Sequence, residues 1–189
     1  MNCAPEYRAG LCRLTLARVR TLHCADTVLG NVDPCLVDAI ERASAVSWIP
    51  TQPLDALNHA LLTVVEEDGY IDFWSEHSTA TSASPLLGSL AGAAMRIFGA
   101  NNPRGFLKWI GRAWDLTARN LGTLLTQERE RDVLVVLQGV PASNRVNTVP
   151  LSLHGSILGL VTTTGHTPRI DADTEHFEAD GIVKYAVRW

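Results

Sequence analysis

Apolar residues in the first two thirds of the chain recur every three or four positions, which is the spacing that predicts amphipathic helices. Asn102 and Pro103 precede the clearest of them, because asparagine caps a helix and proline suits its first turn. Asp33 and Pro34 give the same signal earlier in the chain. We predict helices over about 34–45, 51–69, 70–83, 85–98 and 103–121, with Gly69, Gly99 and Gly122 at three of their ends.

Short apolar runs replace the helical spacing in the last third of the chain. Residues 133–137 are continuously apolar and mostly β-branched, which predicts a buried strand. Over about 181–189, apolar and polar side chains alternate, which predicts a strand with one packed face and one wet face. Another strand is predicted at about 167–174, and together these strands form a small antiparallel sheet.

A helix over about 150–164 separates these strands in sequence. It carries Gly155 and Gly159, four residues apart, so one side of the helix can touch a neighbouring backbone. The pattern predicts an α+β fold, with a helical N-terminal half packed on a small antiparallel β-sheet and a crossing helix near the C-terminus. The expected single domain covers 1–189: an irregular segment 1–33, a helical part 34–122 and a strand-helix-hairpin part 131–189. Within the first segment, residues 12–22 fit either a strand or a helix.

The composition is that of a globular protein. Of the 189 residues, 46% are hydrophobic and 19% are charged, which excludes a disordered chain. The net charge of −4 has the wrong sign for phosphate, so we expect no nucleic-acid partner. No apolar run approaches the roughly 18 residues that span a bilayer, and no signal peptide is recognisable. We therefore expect no membrane association and a cytoplasmic location.

Four cysteines lie in the first fifth of the chain: Cys3, Cys12, Cys24 and Cys35. None forms a C-x-x-C pair, and their spacing does not match a zinc ligand set. We expect free thiols, with one disulfide or a metal site as the alternatives.

Motifs for common chemistries are absent from the sequence. It has no G-x-S-x-G elbow, no glycine-rich nucleotide loop and no H-E-x-x-H pair. The acidic stretch from Asp171 begins like a calcium loop, but His176 and Ile182 replace the glycine and glutamate that such a loop needs. A composite site of His166 and His176 is an alternative, but we predict neither a metal nor a cofactor. The weak candidates for acid–base catalysis are His59, Glu66, His77 and His154.

Aromatic residues are concentrated in the helical part. Their simplest interpretation is core packing, and the functional alternative is the lining of an apolar ligand pocket or a subunit interface. The candidate ligand-binding residues are Trp48, Trp74, Phe106, Trp109, Trp114 and Tyr185.

Over residues 36–189 the chain resembles a myxobacterial family of uncharacterised paralogues, a domain of unknown function, through the order of several short motifs. These motifs are Trp48–Pro50, Asn102–Pro103, Gly122, Gly139–Pro141, the Leu153–Gly159 helix, Gly165 and the terminal Trp189. That family is distantly similar to 4-vinyl reductase and haem-NO-binding domains, which implies a sensory or small-molecule-binding module. Where the 4-vinyl reductase domain has metal-binding cysteines, the surroundings of Gly181 offer Phe177 and Tyr185, so that metal site should be absent. A haem-binding member needs an axial histidine on a helix, and His154 is the only histidine on the crossing helix.

Three functions are compatible with these features. The first is a non-catalytic sensory or regulatory module that binds a small apolar molecule or a partner protein. The second is a small enzyme, of isomerase or cyclase type, that acts on an apolar substrate. The third is a structural homodimer that assembles through an apolar patch on helix 85–98 or 103–121. We favour the first, with recognition between the helical half and the sheet.

Overall fold

The computed structural model describes residues 4–82, 88, 92, 93, 96, 97, 99 and 101–189. The predicted helix over 85–98, with Phe98 and the apolar patch proposed on it, therefore lies largely outside the described residues. No helix in the part of the chain that is described combines the length and the hydropathy needed to cross a membrane.

The first third of the chain is more ordered than its sequence predicts. It contains β1 (Glu6–Arg8), α1 (Ala9–Val19), α2 (Ala25–Gly30), α3 (Pro34–Arg42) and β2 (Trp48–Pro50). The prediction of an irregular segment over 1–33 is wrong, and the stretch at 12–22 is helical up to Val19. Helix α1 begins directly after a strand without a side-chain cap, so the usual start signal is missing. The α3 signal is confirmed, since the Asp33 side chain accepts a hydrogen bond from the Cys35 amide at 2.8 Å.

Helix α4 (Gln52–Ser82) joins two predicted helices into one long element. Its interruption lies at Glu66, where φ is +61°, and not at the predicted end Gly69. Gly69 continues the helix, because an isolated glycine costs a helix only about 1 kcal/mol and packing can offset that cost. The kink at Glu66 divides α4 into an N-terminal part and a C-terminal part.

Helix α5 (Pro103–Thr117) begins as predicted, with the Asn102 side chain accepting from the Gly105 amide at 3.3 Å. It ends before the predicted Gly122, because Ala118 and Arg119 form β3 and pair with β1. β1 thus lies between β2 and β3 in a three-stranded antiparallel sheet. Gly122 instead occupies the turn before the next strand, with φ of +90°.

The second sheet has four antiparallel strands in the order β4-β5-β7-β6. Its strands are β4 (Thr123–Glu128), β5 (Val133–Gln138), β6 (Arg169–Asp173) and β7 (Val183–Arg188). Between them lie a 3-10 turn (Ala142–Asn144), α6 (Thr148–Thr162) and the short α7 (Phe177–Asp180). The predicted α+β fold is confirmed, whereas β4 has no counterpart in the prediction, because its alternation is broken by polar residues at its end.

Helix α6 is the predicted crossing helix and packs against the C-terminal part of α4. A Cβ atom at Gly155 would lie 2.7 Å from the Cβ of Trp74, and one at Gly159 would overlap the carbonyl oxygen of Ser75. The two glycines therefore let the helix backbones approach closely. One apolar core fills the helical half, and a second lies between the four-stranded sheet, α5 and α6.

Candidate ligand-binding cavity

A cavity of about 140 Å³ lies where the two cores meet. Three helices form most of its wall, each through residues spaced three and four apart, the spacing that keeps side chains on one helix face. Helix α4 contributes Trp74, His77, Ser78 and Thr81; helix α5 contributes Ile110, Ala113, Trp114 and Thr117; helix α6 contributes Val149, Ser152, Leu153, Ser156 and Leu160. The N-terminal part of α4 adds Leu54 and Asn58, and Tyr7, Leu11 and Leu124 complete much of the rest.

His77 on α4 is a titratable group in this wall, and it is only 3% exposed. Its Nε2 atom lies 3.2 Å from Thr15 Oγ1 and 3.4 Å from Thr81 Oγ1. The Thr15 hydroxyl donates its single proton to the carbonyl of Leu11 at 3.0 Å, so it accepts from His77. The proton of the neutral imidazole is thereby assigned to Nε2.

Burial lowers the pKa of His77 from 6.5 to about 4, and the nearby Arg18 guanidinium acts in the same direction. The imidazole is therefore neutral at physiological pH. Its ring stacks on Phe73 and meets Trp74 edge-on, with ring centroids 5.8 and 5.2 Å away. These contacts place His77 in an aromatic cluster, and the lowered pKa makes it a weak base.

Serine and threonine hydroxyls join α4 to α6 at the edge of the cavity. Ser78 donates to Ser156 at 2.9 Å, and Thr79 lies 3.3 Å from the carbonyl oxygen of Gly159. Ser152 turns back to the carbonyl of Val149 at 2.9 Å. The hydroxyls in this part of the wall thus have protein partners.

One buried polar atom in a residue that lines the cavity has no hydrogen-bond partner: Asn58 Oδ1. Asn58 is 5% exposed, so bulk water does not satisfy this atom. Leaving a buried polar group unpaired costs about 1–3 kcal/mol.

None of the described residues that line the cavity is Asp, Glu, Lys or Arg. With His77 neutral, the described part of the wall carries no formal charge. Its chemistry therefore favours a neutral ligand, because a charged molecule would lose its hydration without a partner of opposite charge.

Only two of the six predicted ligand-binding aromatics line the cavity, namely Trp74 and Trp114. Trp114 also donates from Nε1 to the carbonyl of Gly122 at 3.3 Å, which holds the turn after α5. The other four predicted residues lie elsewhere in the fold. Trp48 lies between the Arg8 and Arg119 guanidinium groups, Phe106 is buried on α5, Trp109 lies under Arg112, and Tyr185 donates to the carbonyl of Pro150.

The four candidate catalytic residues do not come together. His59 and Glu66 are exposed on α4. His154 faces Tyr185 of the sheet at 6.1 Å between ring centroids, and its burial lowers its pKa. Only His77 lines the cavity. Among the described residues, no group of three or more His, Cys, Asp or Glu side chains could hold a metal ion, and Cys12, Cys24 and Cys35 are free thiols.

Sequence reasoning missed Asn58, although the chain contains a signal for it. Asn58 lies four residues after Leu54 and three before Leu61, so it interrupts the apolar stripe of α4. A polar residue at a core position of an amphipathic helix needs a partner or a function. The helical periodicity alone, read residue by residue, was sufficient to find it.

No family model and no curated protein matches the chain. An unliganded Fe(II) H-NOX protein from K. algicida is 10% identical, with a TM-score of 0.65 over 96% of this chain and 95% of that one. An H-NOX variant from T. tengcongensis is 11% identical, with a TM-score of 0.61 over 96% of each chain. The chain has the H-NOX fold. An oxygen-binding H-NOX domain related to soluble guanylate cyclases is 14% identical, with a TM-score of 0.56 over 96% of this chain and 93% of that one.

The similarity to haem-NO-binding domains is thus confirmed at the level of the fold, while the resemblance to the myxobacterial paralogues stays a prediction. At these identities the H-NOX likeness concerns architecture alone. Fold similarity does not show that a chain binds haem, the group named for some of those structures. The residues that line the cavity must also suit the haem.

A haem does not fit the described residues. The cavity of about 140 Å³ is close in size to one of about 150 Å³ that holds benzene, whereas a porphyrin contains four linked five-membered rings. No described lining residue is a cation that would pair with the two propionates. His77, the histidine among the described lining residues, directs Nε2 at the Thr15 and Thr81 hydroxyls.

Proposed function

We propose that this chain is a non-catalytic sensory module that uses the H-NOX fold to bind a small apolar molecule directly, without haem. The cavity between the helical half and the α6–sheet half carries this proposal. It lies between two packed layers, its lining is mostly apolar, and the few polar groups are precisely positioned on helices, as in many small-molecule sites.

The position of the cavity suits a sensor. Its wall draws on both cores, so a bound molecule adds contacts to α4, α5 and α6 at once. A ligand shifts a conformational equilibrium only by its differential affinity for the two states. A molecule that fills the space between two layers binds only the state in which the layers are apart, because it keeps them from closing onto each other.

An enzymatic role has less support from the same wall. A general base works best when its pKa lies near the operating pH, whereas the pKa of His77 is about 4. No described lining residue is a carboxylate that could form an acid–base pair with it. The arrangement is therefore better suited to holding a molecule than to moving its protons.

In this proposal a partner binds the ligand-bound and the ligand-free protein differently. The partner is another protein or a second copy of this chain. Native mass spectrometry distinguishes the two, since a homodimer appears at twice the mass of the chain. The proposal expects the partner's binding to depend on whether the cavity is filled.

The proposal is tested with benzene and toluene as probes, measured by thermal unfolding and by calorimetry. We expect both to raise the melting temperature, because a ligand that binds only the folded state stabilises it. Ala113→Leu places a larger side chain in the wall and should abolish this effect. Ala80→Leu, at an exposed position of α4, is the matched control and should retain it.

Haem is tested in the same preparation by titration and absorption spectroscopy. We expect no stoichiometric complex with an intense visible band. A one-to-one haem complex that Ala113→Leu prevents, or a complete absence of binding by benzene and toluene, would overturn the proposed function.

A further inference from the structure

We infer that the outer side of the cavity wall binds an acidic segment of a partner protein. This inference rests on the proposed function, since it names the surface through which the partner distinguishes the ligand-bound from the ligand-free protein. The outward faces of β1, β2 and β3, the loop before β2 and the last turns of α5 form this surface. We call it the arginine–tryptophan surface, and it consists of Arg8, Val46, Trp48, Arg112, Leu116 and Arg119.

Trp48 lies between two arginines of this surface. Strand pairing places it directly opposite Arg8, so the two side chains share one face of the three-stranded sheet. The Arg8 guanidinium lies 4.0 Å from the centre of the Trp48 ring, and that of Arg119 lies 4.8 Å from it. Arg8 also donates to the carbonyl of Val46 at 2.6 Å and to that of Leu116 at 3.3 Å, which joins this sheet face to the end of α5.

Arg112 extends the surface along α5. It precedes Leu116 by four residues, so the two side chains are neighbours on the outer face of the helix. Its guanidinium is exposed and lies 5.0 Å from the centre of the Trp109 ring. A guanidinium that stacks on a ring keeps its N–H groups available for a carboxylate.

Apolar side chains beside these arginines are exposed as well. Val46 is 76% exposed and Leu116 is 41% exposed. Arginine and aromatic residues are enriched in protein interfaces, and arginine and tryptophan are common among the residues that dominate binding energy. The combination of these residue types with exposed aliphatic side chains therefore suits a protein partner.

The charge of the surface determines the chemistry of that partner. Arg119 pairs with Glu6, whereas Arg8 and Arg112 form no ion pair with a described residue. Asp115 is an exposed carboxylate on the same side of α5, so three cations stand against two carboxylates, although the whole chain carries −4. An acidic segment with apolar side chains complements this surface, because its carboxylates can pair with the available guanidinium groups. A nucleic acid suits it less well, since Glu6 and Asp115 repel phosphate.

The strands connect this surface directly to the cavity. Tyr7 lines the cavity, and the next residue, Arg8, belongs to the arginine–tryptophan surface. Ala118 and Arg119 repeat this arrangement on β3. Successive side chains of a strand point to opposite faces, so the surface is the outer side of the cavity wall.

Helix α5 makes the same connection. Ile110 and Trp114 line the cavity, and Arg112 is two residues from each of them. Two residues correspond to a rotation of about 200° around a helix, which places Arg112 nearly opposite the lining side chains. A ligand that displaces α5 therefore also displaces the partner surface.

The experiment uses a fluorescein-labelled peptide of alternating glutamate and leucine as the probe, titrated with the full chain and measured by fluorescence anisotropy. Arg8→Glu and Arg112→Glu should each weaken its binding at least about fivefold, because each places a carboxylate against the acidic peptide. Arg169→Glu makes the same charge change on β6, at the far edge of the four-stranded sheet, and should bind the peptide within about twofold of the wild type. A peptide of alternating lysine and leucine should not bind.

Benzene in the cavity should change the affinity for the acidic peptide about fivefold or more, and the peptide should change the affinity for benzene by the same factor. Thermal unfolding identifies a variant that does not fold. If Arg8→Glu is such a variant, Arg112→Glu decides alone, because among the described residues Arg112 makes only the ring contact with Trp109.

The outcomes separate this inference from the proposed function. No binding of the acidic peptide by the wild type, equal binding by Arg112→Glu, or an affinity that benzene leaves unchanged would overturn the inference while benzene still binds in the cavity. Tighter binding of a single-stranded oligonucleotide or of phosphatidylserine vesicles would also overturn it. So would a homodimer in native mass spectrometry that Arg112→Glu dissociates, since a second copy would then cover the surface. If neither benzene nor toluene binds, the proposed function fails whether or not the peptide binds.

Discussion

The Nε2 atom of His77 on α4 lies 3.2 Å from the Thr15 hydroxyl on α1, deep in the helical half. This contact ties the wall of the cavity to the first helix of the chain. It also places a group that titrates near neutrality in the unfolded chain at a position where the folded chain keeps it uncharged. The stability of the fold is therefore linked to pH.

His77 should make the protein less stable in acid. Its pKa is about 4 in the folded chain and 6.5 when unperturbed, so between these values the unfolded chain binds the extra proton. Stability is fully present above pH 6.5 and is lost as the pH falls toward 4. The loss amounts to roughly 3 kcal/mol, to order of magnitude.

Urea unfolding of the wild type and of His77→Gln at several pH values checks this expectation. The pH dependence of the difference between the two proteins isolates His77, because the lowered pKa of His154 is common to both. A difference that stays constant from pH 7 to about pH 4 would show that the imidazole is not held neutral by burial.

The unpaired amide of Asn58 should lower the stability of the ligand-free protein. Asn58→Leu removes a buried acceptor without a donor, so we expect the free energy of unfolding to rise by about 1 kcal/mol. Asn144 is the matched control: it is 3% exposed, and its amide donates to Thr51 at 2.9 Å and to Asp55 at 3.2 Å. Asn144→Leu should lower the free energy of unfolding by about 1–3 kcal/mol. Chemical denaturation measures both, and effects of the same sign would refute the assignment of Asn58 as unpaired.

Periodicity predicts the elements whose cause is local. Asn102 and Pro103 predict the start of α5, and a run of mostly β-branched residues predicts the buried strand β5. In both cases a short stretch of sequence supplies its own hydrogen bonds or its own buried faces. The glycine spacing of α6 likewise predicts close contact with a neighbour, and α4 is that neighbour.

Elements whose cause is tertiary could not be predicted in this way. Helix α1 has no cap, and its residues Cys12, Leu16 and Val19 are buried by the rest of the helical half. The end of α5 at Thr117 is set by pairing of Ala118 with Tyr7, more than a hundred positions earlier. The cavity could not be predicted either. The periodicity of each helix predicts which of its faces is apolar, but it does not predict how far apart the packed helices lie.

Gly122 should tolerate substitution less than Gly139, although both have positive φ, +90° and +73°. At Gly122 a Cβ atom would lie 2.5 Å from the Gln138 carbonyl oxygen and 3.1 Å from the Val140 amide nitrogen, whereas at Gly139 it meets nothing within 4 Å. Gly139→Ala should cost only the backbone strain, about 1–2 kcal/mol. Gly122→Ala should cost about 1–3 kcal/mol more through steric overlap. Thermal unfolding of the two variants ranks them, and equal melting temperatures would mean that the turn after α5 can relax.

The contact of α6 with α4 should limit both stability and ligand binding. Gly159→Ala places a Cβ against the Ser75 carbonyl, so we expect a loss of about 1–3 kcal/mol despite the better helix propensity of alanine. Gly30→Ala, at the end of α2 with nothing within 4 Å of the new Cβ, should be neutral or slightly stabilising. Moving α6 away from α4 also widens the cavity between Ser78 and Ser156, so Gly159→Ala should weaken benzene binding while Gly30→Ala leaves it unchanged. Denaturation together with calorimetry on both variants measures the two effects. Full benzene affinity in a destabilised Gly159→Ala protein would separate the helix contact from the cavity.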